Sequence, residues 1–332
     1  MSPLAAPEQA DVRDFSGRSM GTSWSVRLVG AGDGAALSAG LQGALDAVVA
    51  QMSHWESDSD LSRFNRAPAG SWQPLPAAFY EVLSFALSVR QQSAGAYDPG
   101  AGALVNLWGF GPHAGFADPL FCAAAAFESG AAMVQRPAPS IELDPVGKRA
   151  RQPGGVLLDL SSVAKGYGVD VLAQYLQQQD IQHYLVEVGG ELRGAGTKPD
   201  GQPWWVALEQ VSDDRADATG ALPSDDLVLA LHGLSVATSG DYRRYFERDG
   251  LRYSHTLDPR TGRPILHGLA CVTVLHASCM AADAWSTALT VLGLQAGFAL
   301  AERQGLAARF LQREAAGLSE HLSSAMRRML DA

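Results

Sequence analysis

Three short stretches carry side chains whose types and spacing suit chemistry on a phosphorylated substrate. The first is Asp159-Leu160-Ser161-Ser162-Val163-Ala164-Lys165-Gly166-Tyr167-Gly168. There an apolar run ends in an acid, a Ser-rich turn follows, and a helix is expected to begin beside a lysine. Free backbone N–H groups at such a helix start, the positive end of its dipole and one cation together suit phosphate. An ordinary capped helix with a solvated lysine explains the same residues, and the GxxxxGK[ST] spacing is absent. The second stretch is Ala281-Ala282-Asp283-Ala284-Trp285-Ser286-Thr287. Asp283 and Thr287 are four apart, so on a helix their oxygens share a face. A carboxylate beside a hydroxyl or carbonyl oxygen suits Mg²⁺, which keeps positions for phosphate and water. A plain helix start, with the Thr hydroxyl bonded back to a carbonyl, is the competing explanation. The third stretch, Tyr253 to Pro264, sets His255 just before an Asp258-Pro259 turn. An imidazole there can carry a proton near neutral pH or donate to phosphate, or it can be a structural histidine at a strand end. Two turns, Ser19-Met20-Gly21-Thr22 and Gly95-Ala96-Tyr97-Asp98-Pro99, complete the set.

Positioning these residues requires a scaffold, and the patterning supplies its outline. Ser23 to Val29 alternates as a strand, punctuated by Gly30 to Gly34. A helix is expected from Ala36 to about Met52, with Leu41, Leu45, Val48, Val49 and Met52 on one face. Ser57-Asp58-Ser59-Asp60 caps a short helix through Phe64, and Pro76 opens another through about Val89. Residues 111–155 read as a loop-rich excursion, and the sequence contains no internal repeat. Beyond it, Val156–Leu160 predicts a strand, Val163–Gln178 a helix and His183–Val188 a strand. Further strands are expected at Trp204–Leu208, Leu227–Leu231, Leu234–Ala237 and Ala270–Leu275, then helices at Met280–Leu292 and Gln295–Gln304. This order fits α+β better than a regular doubly wound sheet.

Composition narrows the classes. The chain has 332 residues, 47% hydrophobic and 18% charged, which is enough for one large domain or two lobes around a core. Lys+Arg number 25 and Asp+Glu 35, a net charge of −10 that argues against a general nucleic-acid binder. Cys122, Cys271 and Cys279 have neither disulfide nor metal-ligand spacing and are expected to be buried thiols. No uninterrupted apolar run approaches the roughly 18 residues of a membrane span. The opening MSPLAAPEQADVRDF has no basic and apolar export pattern, so the chain as written is expected in the cytoplasm. A trimmed form of a periplasmic protein would read the same way.

Taken together and in order, eight segments resemble the ApbE family, the FAD:protein FMN transferases. They are MGTSWSV (20–26), SDLSRFN (59–65), AYDPG (96–100), DLSSVAKGYGVD (159–170), YLVEVGGELRGAG (184–196), VATSGDYRRYF (236–246), YSHTLDPRTGRPI (253–265) and AADAWSTALTVLG (281–293). The resemblance runs from about Ser16 to Leu311. It implies a single α+β unit of two lobes with FAD in the cleft between them, spanning residues 16–315, after a polar leader (1–15) and before a C-terminal helix (316–332).

The resemblance also implies a reaction. Such enzymes split FAD at its pyrophosphate with Mg²⁺, transfer FMN to a Thr or Ser hydroxyl of a partner protein, and release AMP. By position, Asp283, Thr287, Ser162 through its carbonyl and the adjacent Ser286 correspond to the metal site. Met20, Ala96, Tyr97, Asp98, Asp159, Lys165 and Leu257 correspond to flavin-nucleotide contacts. His255 and Asp283 correspond to the catalytic groups, His255 as proton acceptor or phosphate ligand. The partner implied is a flavoprotein with a Thr- or Ser-containing loop, of the redox-pump or reductase-subunit type. Two readings compete with transfer: an FAD pyrophosphatase yielding FMN and AMP, and a flavin-binding carrier without turnover. The chain departs from the family pattern in two ways. Ser162 stands where alanine is frequent, and the N-terminus shows no lipid-bearing cysteine.

Overall fold

The computed structural model describes residues 11–330 apart from 113–114, 117, 119–120, 135–139, 209–226, 242–243, 249–250 and 316. Strands β1 (Val12–Ser19) and β2 (Thr22–Val29) precede α1 (Gly34–Met52), α2 (Asp60–Arg66), β3 (Trp72–Pro74), α3 (Ala77–Gln92), α4 (Gly102–Leu107) and α5 (Ala123–Val134). The middle of the chain forms β4 (Glu142–Asp144), β5 (Arg149–Arg151), α6 (Ala164–Gln178), β6 (His183–Val188), β7 (Glu191–Ala195), β8 (Trp204–Ala207), β9 (Val228–Leu231) and β10 (Leu234–Gly240). Then come β11 (Tyr245–Arg248), β12 (Leu251–Ser254), β13 (Leu257–Asp258), β14 (Arg263–Pro264), β15 (Leu269–His276), α7 (Cys279–Gln304), β16 (Ala307–Glu314), β17 (Gly317–Leu322) and α8 (Ser324–Leu330).

Eight strands form one antiparallel sheet in the order β1-β2-β6-β7-β10-β15-β16-β17. Its register pairs Val26 with Val186, Val236 with Leu192 and Ala237 with Val274. Side chains alternate across it, as strand geometry requires. Ala237, Val274 and Ala308 join the core under α3 and α7, whereas Val236, Leu275 and Ala307 face the ribbon β8–β9 and α8. The sheet is therefore covered on both faces. Of the stripe expected on α1, Leu41, Leu45, Val48 and Met52 are buried while Val49 is only half-buried, and Leu37 joins them. Leu37, Leu41 and Leu45 pack against this sheet and α6, and Val48 and Met52 against the core with α2 and α3. Its N-terminus is held by Asp33, which accepts the N–H of Ala35 at 2.8 Å. α2–α5, the small sheet β3-β5-β4 and the hairpins β11–β12 and β13–β14 build the second lobe.

Several expectations need correction. Val156–Leu160 is not a strand beyond one bridge from Leu157 to Ala101. The Asn65 side chain takes both backbone groups of Leu158, at 2.7 and 3.0 Å, and the Asp159 N–H goes to Pro99. A side chain and a loop thus replace a strand partner. The excursion at 111–155 contains α5, β4 and β5. Residues 12–15 of the supposed leader belong to β1, and residues 1–10 lie outside the described residues. The C-terminal segment is not wholly helical: Gly317–Leu322 pairs with β16 before α8 begins. Cys271 and Cys279 are buried, but Cys122 is exposed. The two expected last helices do occur, joined as α7 across a break at Gly293, whose φ of 75° suits glycine. α7 is the single helix among the described residues long and apolar enough to cross a membrane, yet most of it is packed in the core.

Candidate active site

A cleft opens between the lobes, and its floor is the contact of α6 with α7. Asp283 lies one turn into α7, only 3% exposed. Its Oδ2 accepts the N–H of Gly166 at 3.0 Å. Gly166 is the third residue of α6, where N–H groups have no partner inside the helix, so the carboxylate rests on that helix's positive end. One donor expected for phosphate is therefore taken by the protein's own acid. The approach demands glycine: a Cβ at Gly166 would stand 2.3 Å from the Cys279 carbonyl oxygen. Asp170, a turn further along α6, ties down the start of α7. It accepts from the Ser278 hydroxyl (2.8 Å), the Cys279 N–H (3.0 Å) and the Met280 N–H (2.9 Å).

Beside Asp283 runs a chain of hydroxyls whose direction can be worked out. Ser286 Oγ donates to the Asp283 carbonyl at 2.8 Å, which uses its only proton. Ser239 Oγ, 2.8 Å from Ser286, must then donate to it. Thr287 Oγ1, 3.0 Å from Ser239, must in turn donate to Ser239. Thr287 is left with lone pairs and no proton, a ligand for a cation or an acceptor from a substrate. Among the described residues no three His, Cys, Asp or Glu side chains gather as a metal cluster. One carboxylate with neutral oxygens is the donor set left, and it suits a hard cation that keeps its own waters.

Around this floor the other acids are already engaged. Asp98 Oδ2 accepts from Arg90 at 2.8 Å, and Oδ1 accepts the Gly100 N–H at 2.8 Å. Lys165 pairs with buried Glu191. Asp159 lies 3.0 Å from His54 Nδ1 and accepts the Ser161 N–H at 2.8 Å. Burial alone would raise the Asp159 carboxyl, but the hydrogen bond and charge of His54, with those from Ser161, outweigh it and hold the group below the usual carboxylate range. Burial pushes the Tyr97 phenol far up; Ser162 nearby opposes this, while Asp283, Asp159 and Asp98 add to it. Tyr97 therefore stays protonated. Its buried hydroxyl makes no well-formed hydrogen bond and lies next to Ser162, a polar atom left for a ligand.

The facing wall is the segment leading into β11 and the end of β12. The Arg244 carbonyl accepts the His255 N–H at 3.0 Å and lies 2.9 Å from its Nδ1. A carbonyl cannot donate, so Nδ1 carries the proton in this bond and Nε2 is the basic nitrogen. The His255 ring meets Phe110 edge-on at 6.3 Å. Trp108 anchors the next turn through its ring N–H to the Gly262 carbonyl at 3.0 Å.

The cleft lining brings together Ala96, Tyr97, Asp98, Asp159, Ser162, Lys165, His255, Leu257, Asp283 and Thr287. Met20 and Ser286 are not on it. Met20 sits at φ 51° in the two-residue β1–β2 turn and packs toward Gly168, supporting α6 from behind. Ser286 is fully buried inside the hydroxyl chain. Sequence reasoning overlooked His54, Trp55, Glu191, Ser239 and Arg244, all on the lining. Trp55 is 55% exposed at the cleft. Ser239 lies in the quoted Val236–Gly240 run, but only the fold shows it against Thr287.

Comparison with known proteins identifies the family. A sequence model described as the ApbE family matches residues 20–310. A protein of Vibrio cholerae named FAD:protein FMN transferase is 37% identical, covering 95% of this chain and 92% of its own. One of Klebsiella pneumoniae with the same name is 36% identical over 99% of this chain and 92% of its own. Among solved structures, the Pseudomonas stutzeri flavinyl transferase ApbE in its apo form superposes with a TM-score of 0.81 at 38% identity, over 97% of this chain and 98% of that one. The flavin transferase ApbE of Vibrio cholerae superposes with a TM-score of 0.84 at 35% identity, over 96% and 99%. With the family matched across both lobes and every wall of the cleft, this chain belongs to the ApbE family.

Proposed function

We propose that the protein transfers the FMN moiety of FAD to a Thr or Ser hydroxyl of a partner flavoprotein and releases AMP, with Mg²⁺ held at Asp283, Thr287 and the Ser162 carbonyl. The observation that carries this reading is the meeting of Asp283, Thr287, Lys165, Tyr97 and His255 in one cleft. The names of the Vibrio and Klebsiella relatives support it. The acceptor is expected to be a redox-pump or reductase subunit that presents its hydroxyl on a small loop.

The residues divide the work. Tyr97 and Leu257 offer apolar surface to flat rings, and ionised Asp159 accepts from a ribose hydroxyl or ring N–H. His255 Nε2 takes the proton of the acceptor hydroxyl as its oxygen bonds to the FMN phosphorus. The bond from that phosphorus to the AMP oxygen breaks, and its electron pair leaves with AMP. A bound Mg²⁺ would neutralise the pyrophosphate and the charge growing on the leaving phosphate. Asp283, fixed by Gly166, and Thr287, with its proton committed to Ser239, present oxygens that fit this ion.

Intact mass of a Thr-containing acceptor domain, after incubation with this protein, FAD and Mg²⁺, tests the proposal. A gain of one FMN is expected, abolished by EDTA and by Asp283→Ala. Release of FMN and AMP with the acceptor unchanged would make the protein a hydrolase. FAD left intact across several acceptors would make it a carrier.

A further inference from the structure

Among the described residues of the cleft lining, three of the four carboxylates are matched by a basic side chain: Asp98 by Arg90, Asp159 by the His54 imidazole and Glu191 by Lys165. Asp283 is matched by the end of a helix. Arg244 lies on the same lining, and its exposed guanidinium pairs with no carboxylate among the described residues. Among the described residues of the lining, this is the guanidinium left to an anionic substrate. We infer that Arg244 binds the pyrophosphate of the dinucleotide and then the phosphate of the departing AMP, an assignment that rests on the transferase reading.

The chemistry of the side chain suits this task. A guanidinium presents several N–H donors in a fixed plane and grips two phosphate oxygens at once, where an ammonium acts as a point charge. The main chain of the same residue does something separate. The Arg244 carbonyl holds both the N–H and Nδ1 of His255. Arg244 therefore links substrate charge and base orientation: the side chain meets phosphate while the carbonyl sets the imidazole. Because the carbonyl survives any substitution, the two roles can be separated by mutation.

The test compares FAD affinity of the parent, Arg244→Gln and Arg244→Lys at low and at raised salt, with EDTA present and folding checked by thermal melt. Riboflavin, which has the same rings without phosphate, is the second probe. Arg244→Gln is expected to weaken FAD about 10- to 100-fold at low salt, the span of a charged hydrogen bond. It should also flatten the salt dependence and leave riboflavin unchanged. Arg244→Lys should recover part of the loss. In the acceptor assay, the pH profile of Arg244→Gln at saturating FAD should match the parent. Parent-like FAD affinity and salt dependence in Arg244→Gln would overturn the inference, as would equal losses for FAD and riboflavin. A rise in the KM of the acceptor alone would assign Arg244 to the protein partner instead, which also overturns it. Failure of transfer in the parent with FAD binding as expected would remove the transferase reading and leave the phosphate contact standing.

Discussion

The floor and the wall of the cleft hold their chemical groups by different means. On the floor, Asp283 is nearly sealed, fixed by the Gly166 N–H, and its helix is tied to α6 through Asp170. On the wall, His255 is half-buried, and its described contacts include the Arg244 main-chain carbonyl and the edge of Phe110. It sits on a ribbon packed through aromatic rings, with Phe246 stacked on Tyr253 at 4.9 Å and on Phe116 at 5.3 Å. On the proposed function, the difference follows from what each group would have to do. A fixed charge is best built from helix ends, where backbone dipoles cost no reorganisation. A base that meets an incoming protein needs a surface position and only enough restraint to choose its tautomer.

If that division is right, the largest effect of a single wall substitution falls on turnover. His255→Ala is expected to lower kcat of transfer by about 10²- to 10⁴-fold near neutral pH, the range of a positioned general base. FAD affinity, measured separately, should not change. A loss appearing in FAD affinity with kcat preserved would make His255 a phosphate ligand and dissolve the contrast between floor and wall.

The same contrast marks how far the sequence could be read. The floor was largely legible, because Asp283 and Thr287 four apart on an apolar helix carry a local signal, as does the turn from Asp159 to Lys165. What it hid was direction. The Asp283 carboxylate occupies the helix start that looked free for phosphate, because α6 and α7 close on each other at Gly166. The wall was harder. His255 stood out beside its turn, but the short strands β11–β14 gain their order from rings distant in sequence, such as Trp108 on Gly262 and Tyr253. His54 and Arg244 look like surface residues until tertiary contacts bring them to Asp159 and His255. Val156–Leu160 looked like a strand because nothing local reveals that Asn65 satisfies its backbone.

Gly166→Ala sharpens the account of the floor. Helix propensity alone favours alanine by about 1 kcal/mol, but here a Cβ meets the Cys279 carbonyl oxygen and lies 2.8 Å from the Asp283 Cβ. The helices must part, and the carboxylate moves with them. Half-saturating Mg²⁺ should rise about 10- to 100-fold, as for groups that orient a metal ligand, while the pH profile at saturating Mg²⁺ stays that of the parent. Gly43→Ala on α1, where the new Cβ meets nothing within 4 Å, is the control and should leave Mg²⁺ response unchanged. Equal Mg²⁺ response in both variants would show that the close approach does not set Asp283.

The smallest effect expected is one of acid stability, and it decides which region answers to pH. The Asp159 carboxyl is held below its usual range in the folded protein, because His54 and Ser161 outweigh the burial that would raise it. A group depressed on folding contributes stability above the unfolded carboxyl value of about 3.9, and loses it as pH falls through the lower folded value. Asp159→Asn should therefore flatten the decline of thermal stability below about pH 4. Tyr97, protonated throughout, adds nothing in that window. If the wall carries the titrating group, an inflection of transfer rate near neutrality should vanish with His255→Ala and persist in Asp159→Asn, assayed at saturating FAD. An inflection that disappears with Asp159→Asn instead would place the titrating group among the cleft's engaged acids, and the division between fixed charge and mobile proton would fail.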